Sequence, residues 1–273
     1  MTAFAEYDAI DAINWGLLRE AARSPLHYQY RRSHPREDTP PMARGRMAHC
    51  IVLEPDAFPL RYVVWDNGRR YGMVWDQFRA VNGDKEVLSA DEYTRCLAIR
   101  DAVHAHPVAA GYLLDGQAEV TLTWTDTETG LACKCRIDWL TDIALVDFKT
   151  TSDVDARTFG RLSAKMLYHC QLAYYQMGLV ANNCPALPVK IIAAEVDPPY
   201  DVAVFDVDDD ALYAGEEQVR ELLRLVADCT RNGTWPGRYE TEQRLELPGW
   251  VFAGEDDYAL MGLVPASGGG GKS

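Results

Sequence analysis

The residues with the clearest chemical potential are Asp138, Asp147 and Lys149. Asp147 and Lys149 sit in the apolar run Ile143-Ala-Leu-Val-Asp-Phe-Lys-Thr150, which reads as a buried strand. Residues two apart in a strand point to the same face, so the carboxylate and the ammonium project side by side. Asp138 closes the segment Cys135-Arg-Ile-Asp138 on the preceding strand, across a short turn at Thr141-Asp142. Two carboxylates and one ammonium at the end of a core hairpin are costly to bury. A divalent metal working on a phosphodiester is the usual chemistry that repays such burial. An isolated Asp-x-Lys reads as a salt-bridged pair at a sheet end; the second aspartate, one hairpin earlier, turns the reading toward a site.

Glu119 adds a third acid on the strand before, so that Glu119, Asp138, Asp147 and Lys149 occupy three successive strands. Hard oxygen donors suit Mg2+ or Mn2+, and magnesium is often held by one or two carboxylates plus substrate phosphate. A lysine beside such an ion stabilises charge developing on phosphate, or orients or activates the attacking water. Gly45-Arg-Met-Ala-His49 places a histidine on an early helix, where a neutral imidazole could add a ligand; alone it reads more readily as a capping or surface histidine. Gln171 and Tyr175 are spaced i, i+4, which puts them on one face of the helix after the hairpin; alone that spacing is also ordinary packing.

Hydrophobic periodicity supplies the elements that hold these groups. Asp11 to Tyr30 has helical spacing, broken at Ser24-Pro25, where a new helix would start with Ser24 as cap and Pro25 in its first turn. Met42 to Leu53 reads as a helix ended by Glu54-Pro55, and Leu60 to Trp65 as a strand. Residues 67–83 are mixed and glycine-bearing. Ser89 to His104 is a helix with Ser89 and Glu92 as a capping box. Strands are expected over 117–125, 131–140, 143–149, 189–196 and 202–207, with one long helix over 163–181 and another over 209–232 closed by Gly233. This order predicts an α/β fold with a mixed central sheet flanked by helices. The expected organisation is a single domain over 1–264: an N-terminal helical segment (1–41), a core (42–207), an acidic helix and extension (208–264), and a flexible tail (265–273). The tail's Gly-Gly-Gly-Gly-Lys-Ser lacks the earlier glycine and the following helix that a phosphate loop needs.

The 273-residue chain carries a formal net charge of −14, which at first argues against nucleic acid. The charge is unevenly spread. Arg19 to Arg46 holds seven arginines against three acids, net +4, whereas Glu195 to Asp257 holds five against 17, net −12. A localised basic rim on an acidic body can still admit DNA and restrict where it enters; acidic surface also simply confers solubility. Seven cysteines without a Cys-x-x-Cys pair make structural zinc unexpected. No apolar run approaches a bilayer span, and the N-terminus has no basic region leading into an apolar stretch, so no membrane and a cytoplasmic location are expected.

Taken in order, Gly-x-x-x-His, Glu, Asp, Asp-x-Lys and Gln-x-x-x-Tyr resemble the RecB-like branch of the PD-(D/E)XK nuclease superfamily, with a restriction-endonuclease-like core. More narrowly, the chain looks like the phage and prophage exonuclease VIII (RecE-type) nuclease domain. The resemblance runs through Ser24-Pro-Leu-His-Tyr28, Gly45 to Phe58, Cys133 to Asp138, Val146 to Thr151, Tyr168 to Tyr175 and Glu195 to Tyr200. It implies that His49, Asp138 and Asp147 are metal ligands, assisted by the carbonyl of Phe148, with Glu119 supporting the site. It implies that Lys149 is the catalytic lysine, and that Gln171 and Tyr175 orient the site or contact the DNA backbone. Asp147 stands where the wider superfamily more often has glutamate, as is usual in this branch. The four-cysteine pattern of the iron–sulfur relatives is missing, so that cluster is not expected. The implied activity is Mg2+-dependent exonuclease digestion of linear double-stranded DNA, 5′ to 3′, with Mn2+ able to substitute. The implied partners are DNA ends, a single-strand annealing recombinase and further copies of the chain in a ring. Arg31, Arg32, Arg44 and Arg46 are candidates to line the DNA path, or are solvated loop charges. A nuclease of single-strand or flap preference, a non-catalytic DNA-binding protein of the same fold and, more remotely, a small-molecule metalloenzyme are the competing readings.

Overall fold

The computed structural model describes residues 3–248 and Val251. The glycine-rich tail and most of the expected C-terminal extension beyond 248 lie outside them. Two sheets form. A small one pairs β1 (Tyr62–Trp65) with β2 (Glu86–Ser89) in parallel. The larger runs in the order β3 (Gln117–Thr125), β4 (Ala132–Leu140), β5 (Leu145–Thr151), β6 (Val189–Glu195), β7 (Val202–Val207). Its pairs are antiparallel except β5–β6, which is parallel, so the sheet is mixed as the sequence predicts.

Seven helices of nine residues or more occur among the described residues: α1 (Pro25–Ser33), α2 (Pro40–Leu53), α3 (Met73–Val81), α4 (Ala90–Ala105), α5 (Ala156–Met166), α6 (Tyr168–Ala181) and α7 (Asp209–Asn232). Local chemistry sets their ends. Ser24 Oγ accepts from the His27 amide ahead of Pro25, and both arms of the Ser89–Glu92 capping box are made. Asp208 caps α7, and Gly233 ends it at φ 68°. The helices cover both faces of the sheet. On one face α6, α7 and the segment Ile13 to Tyr28 bury Cys133, Cys135, Ile137, Leu145 and Ile191. On the other, α2 and α4 bury Val146, Phe148, Ile192 and Ala194.

The sheet is opened in its middle. β4 and β5 pair only at Trp139↔Val146 and Leu140↔Leu145, while β5 stays fully paired to β6 from Leu145 to Thr151. Farther back along β4, Ile13 takes the vacated edge, its amide donating to Ala132 O and its carbonyl accepting from Lys134 N, both at 2.8 Å. Between these two pairings lies a gap, and Asp138 stands at its head.

Several expected boundaries change. Ile13 bridges to β4 instead of opening a helix, and Trp15–Leu18 with the 3-10 turn Arg19–Ala22 replace the longer expected helix. Residues 67–83 contain α3, whose residues are all at least partly exposed, and β2 appears as a short strand the alternation did not reveal. The helix expected over 163–181 is two helices, because Leu167 sits in the left-handed region at φ 59°, ψ 42°. The apolar spacing runs through the break since Leu167 still packs on the core, which is why periodicity alone read one helix.

Candidate metal centre and active site

His49 lies in the later half of α2, whose buried side (Met47, Ala48, Ile51, Val52) packs on β5 and fixes the helix above it. The imidazole lies edge-on to the Phe148 ring, centroids 5.1 Å apart, and faces the Phe148 carbonyl. His49 Nδ1 is 3.5 Å from Asp138 Oδ2. That same oxygen accepts the Phe148 amide at 2.9 Å, so the Asp138 carboxylate fills the place a β4 carbonyl would take in a continued ladder. Ala118↔Trp139 and Val120↔Ile137 flank Glu119, which puts it opposite Asp138 across β3 and β4. Donor atoms of His49, Glu119 and Asp138 all lie within 4.8 Å of one another. Glu119 has φ 54°, a left-handed conformation for a non-glycine residue inside a strand, and strain of that kind clusters at functional positions.

Asp147 is fully buried, and both its oxygens lack a hydrogen bond of acceptable geometry. Lys149 Nζ lies 2.5 Å from Asp147 Oδ2 as an ion pair. A buried carboxylate with unused lone pairs is the donor a cation would complete. The electrostatics agree. Burial pushes Asp147 up to about 6 despite Lys149, and pushes Glu119 up to about 7 despite Arg136. Burial also raises Asp138, against the pull of Lys149. Burial, with Lys149 nearby, lowers His49 to about 4, so its imidazole is neutral at neutral pH and available as a ligand. Carboxylates held above their ordinary range and a neutral imidazole form a donor set that fits a divalent cation.

Residues 17–246 match a family described as a PDDEXK-like domain of unknown function (DUF3799). This chain belongs to that PDDEXK-like family. No curated protein sequence matches the chain. Among solved structures it is similar to a "putative exonuclease" from Eubacterium rectale, with TM-score 0.56 and 15% identity over 93% of this chain and 97% of that one. At that identity the likeness shows the fold. A second match, to LHK-Exo in complex with dAMP, has TM-score 0.28 and 12% identity over 70% of this chain and 94% of that one, and carries no argument. The superfamily and the mixed α/β fold expected from the sequence are thereby shown.

Around this PDDEXK-like centre α6 supplies a second row of groups. Gln171 Nε2 donates to Tyr175 Oη at 2.7 Å. Tyr175 is buried, and burial with Asp138 and Asp147 close by holds its hydroxyl well above the ordinary range, so it stays protonated. A buried ring suits orientation of the centre better than contact with a DNA backbone, the other role the resemblance allows. Two neighbours had no signal of their own in the sequence. Tyr168, placed as the first residue of α6 by the break at Leu167, lies under Lys149 with Nζ 5.0 Å from its ring centroid. Arg136, two residues before Asp138 and so on the same face of β4, holds Glu119 Oε2 at 2.6 Å. That i, i+2 relation was available in the sequence; its partner across the sheet was not.

The expected basic rim divides. Arg31 and Arg32, with Arg19, Arg36 and Lys134, line a cleft of about 1030 Å3 between the N-terminal helices and β4, which Asp8, Asp11 and Glu20 line as well. Burial raises the Tyr168 hydroxyl above its ordinary range, against the pull of Lys149 and of Arg19. Arg44 lines a separate hollow of about 210 Å3 with Arg95 and Thr150, beside the end of β5. Arg46, partly exposed, is paired with Asp38 at 2.5 Å and Glu86 at 3.4 Å. No helix among the described residues is long and apolar enough to cross a membrane.

Proposed function

We propose that the protein is a divalent-metal-dependent deoxyribonuclease that digests linear double-stranded DNA from its ends. The observation that carries this reading is the fully buried Asp147 carboxylate, without hydrogen bonds and paired with Lys149, beside Asp138, Glu119 and His49. His49, Asp138 and Asp147, with the Phe148 carbonyl, would hold the ion, Mg2+ by preference with Mn2+ as substitute. When bound, such an ion polarises a phosphoryl oxygen and lowers the pKa of a water molecule.

The protein's own groups supply the rest. Burial works against the Lys149 ammonium, but Asp147 and Asp138 outweigh it and raise its pKa. Lys149 therefore acts as a cation, stabilising charge on the phosphate and orienting the attacking water, and not as a base. The Tyr168 ring beneath it limits where Nζ can point. Gln171 and Tyr175 hold the floor of the centre, and Arg136 positions Glu119. The arginine-lined cleft would carry the duplex backbone up to the centre. The 5′-to-3′ direction, and a role in exposing single strands for annealing recombination, rest on the resemblance to the exonuclease VIII type.

The test is a time course on linear duplex labelled at either the 5′ or the 3′ end, with Mg2+ or with chelator. Early release of the 5′ label, needing metal and strongly slowed in Lys149→Ala, is the expected result. Digestion that survives chelator, or that keeps its rate in Lys149→Ala, overturns the reading, and equal attack on closed circles replaces exonuclease with endonuclease.

A further inference from the structure

A second concave feature lies away from the acidic centre. It is a groove of about 620 Å3 between α6, the first turns of α7 and the end of β3. Its floor is made of small residues, Ala173 and Ala186 among them, and its walls of Trp124, Met177 and Leu212. Two large apolar side chains at its lip are exposed, Val180 at 56% and Tyr213 at 68%. Exposed apolar side chains lining one concavity mark a contact surface more often than scattered ones do. Gln176, on the same wall, spends its amide nitrogen on Leu187 O, while its Oε1 is buried and without a hydrogen bond.

The rim is acidic. Asp209 and Glu216 line it, and Asp210 and Glu217 follow on the same helix, within the stretch that carries net −12 from Glu195 to Asp257. Arg220, also on the rim, pairs with Glu216 at 2.6 Å, which leaves Asp209, without an ion pair among the described residues, as the uncompensated charge there. An apolar floor inside an acidic rim is complementary to a helix with an apolar face flanked by lysine or arginine. The α6 wall from Ala173 to Ala181 is about 12 Å long, enough for two turns of such a helix. We propose that this groove is a docking site for a basic amphipathic helical segment of a partner protein.

The opposite wall of α6 carries Gln171 and Tyr175, so the occupant would sit back to back with the candidate active site without entering it. The proposal does not depend on what that site does.

The test is fluorescence anisotropy of the full chain with a labelled helical peptide bearing leucine on one face and lysine on the other, and with its leucine/glutamate counterpart. The lysine peptide should bind and the glutamate peptide should not. Tyr213→Ala, and the double change Asp209→Asn with Glu216→Gln, should each weaken binding by roughly tenfold or more, and the double variant should flatten its salt dependence. Tyr213 is exposed, so its loss leaves the urea unfolding midpoint unchanged and separates docking from folding. Equal binding of both peptides, or undiminished binding to Tyr213→Ala, overturns the proposal. So does a dimer in sedimentation that Tyr213→Ala dissolves, which would make the groove an interface between copies of the chain.

Discussion

At Lys149 burial disfavours the ammonium, yet the two aspartates beside it keep it charged. Its replacement by alanine should therefore remove a fixed positive charge from the transition state. Cleavage of labelled duplex should slow by about 10²–10³-fold, the scale of losing one preorganised charge donor, while Mn2+ binding by calorimetry persists. The acids behave in the opposite sense. Asp147, raised from 3.8 to about 6, and Glu119, raised from 4.5 to about 7, hold protons in the folded chain that they lose when unfolded. Between about pH 4 and 7 these two acids make the folded state bind more protons; His49, lowered from 6.5 to about 4, opposes them and is outweighed by the pair, so the metal-free protein loses stability as pH rises through that window. Urea unfolding at pH 5.5 and pH 8 in chelator should show the lower midpoint at pH 8. Asp147→Asn should shrink the difference, because it removes one of the buried charges.

At the level of elements, the packing of α6 on α7 controls how firmly Gln171 and Tyr175 are held. A Cβ on Gly215 would meet the His169 carbonyl oxygen at 2.5 Å, and backbone cannot yield as a side-chain tip does. Gly215→Ala should cost about 1–3 kcal/mol in urea unfolding, the usual range for overpacking, by forcing α7 away from α6. Near-native stability in that variant would mean that the two helices slide freely. The break at Leu167 belongs to the same scale. It gives up helix continuity at a residue in the left-handed region and in return sets Tyr168 beneath Lys149.

Over the whole molecule, charge segregation is the dominant feature. A chain of net −14 gathers Arg19, Arg31, Arg32 and Arg36 in one cleft, where Asp8, Asp11 and Glu20 also stand, while the stretch from Glu195 to Asp257 carries net −12. If the cleft carries DNA, replacing Arg31 and Arg32 by alanine should weaken duplex binding at low salt. The slope of log affinity against log salt should fall by about one unit for each phosphate that is no longer neutralised. Anisotropy with a labelled duplex across a salt series measures both. Arg46→Ala should leave the slope unchanged, since Asp38 and Glu86 already neutralise that guanidinium.

Sequence alone determined the strands around Asp138 and Asp147, the capped helices at Ser24 and Ser89, the helix end at Gly233, and the order of chemically capable residues along the chain. These are local properties, set by side-chain period and by hydrogen bonds within one turn. What only the tertiary structure decided is non-local. β4 leaves β5 after two pairs, the Asp138 carboxylate takes over a ladder hydrogen bond, and Ile13 closes the far edge. No periodicity records such a parting, because each strand keeps its own alternation on both sides of it. The partners of Glu119 and Lys149, namely Arg136 and Tyr168, are likewise products of register and of a helix break. The acidic run after Glu195 was visible as composition; that Asp209 and Glu216 from it stand beside an apolar groove follows only from packing α7 against α6.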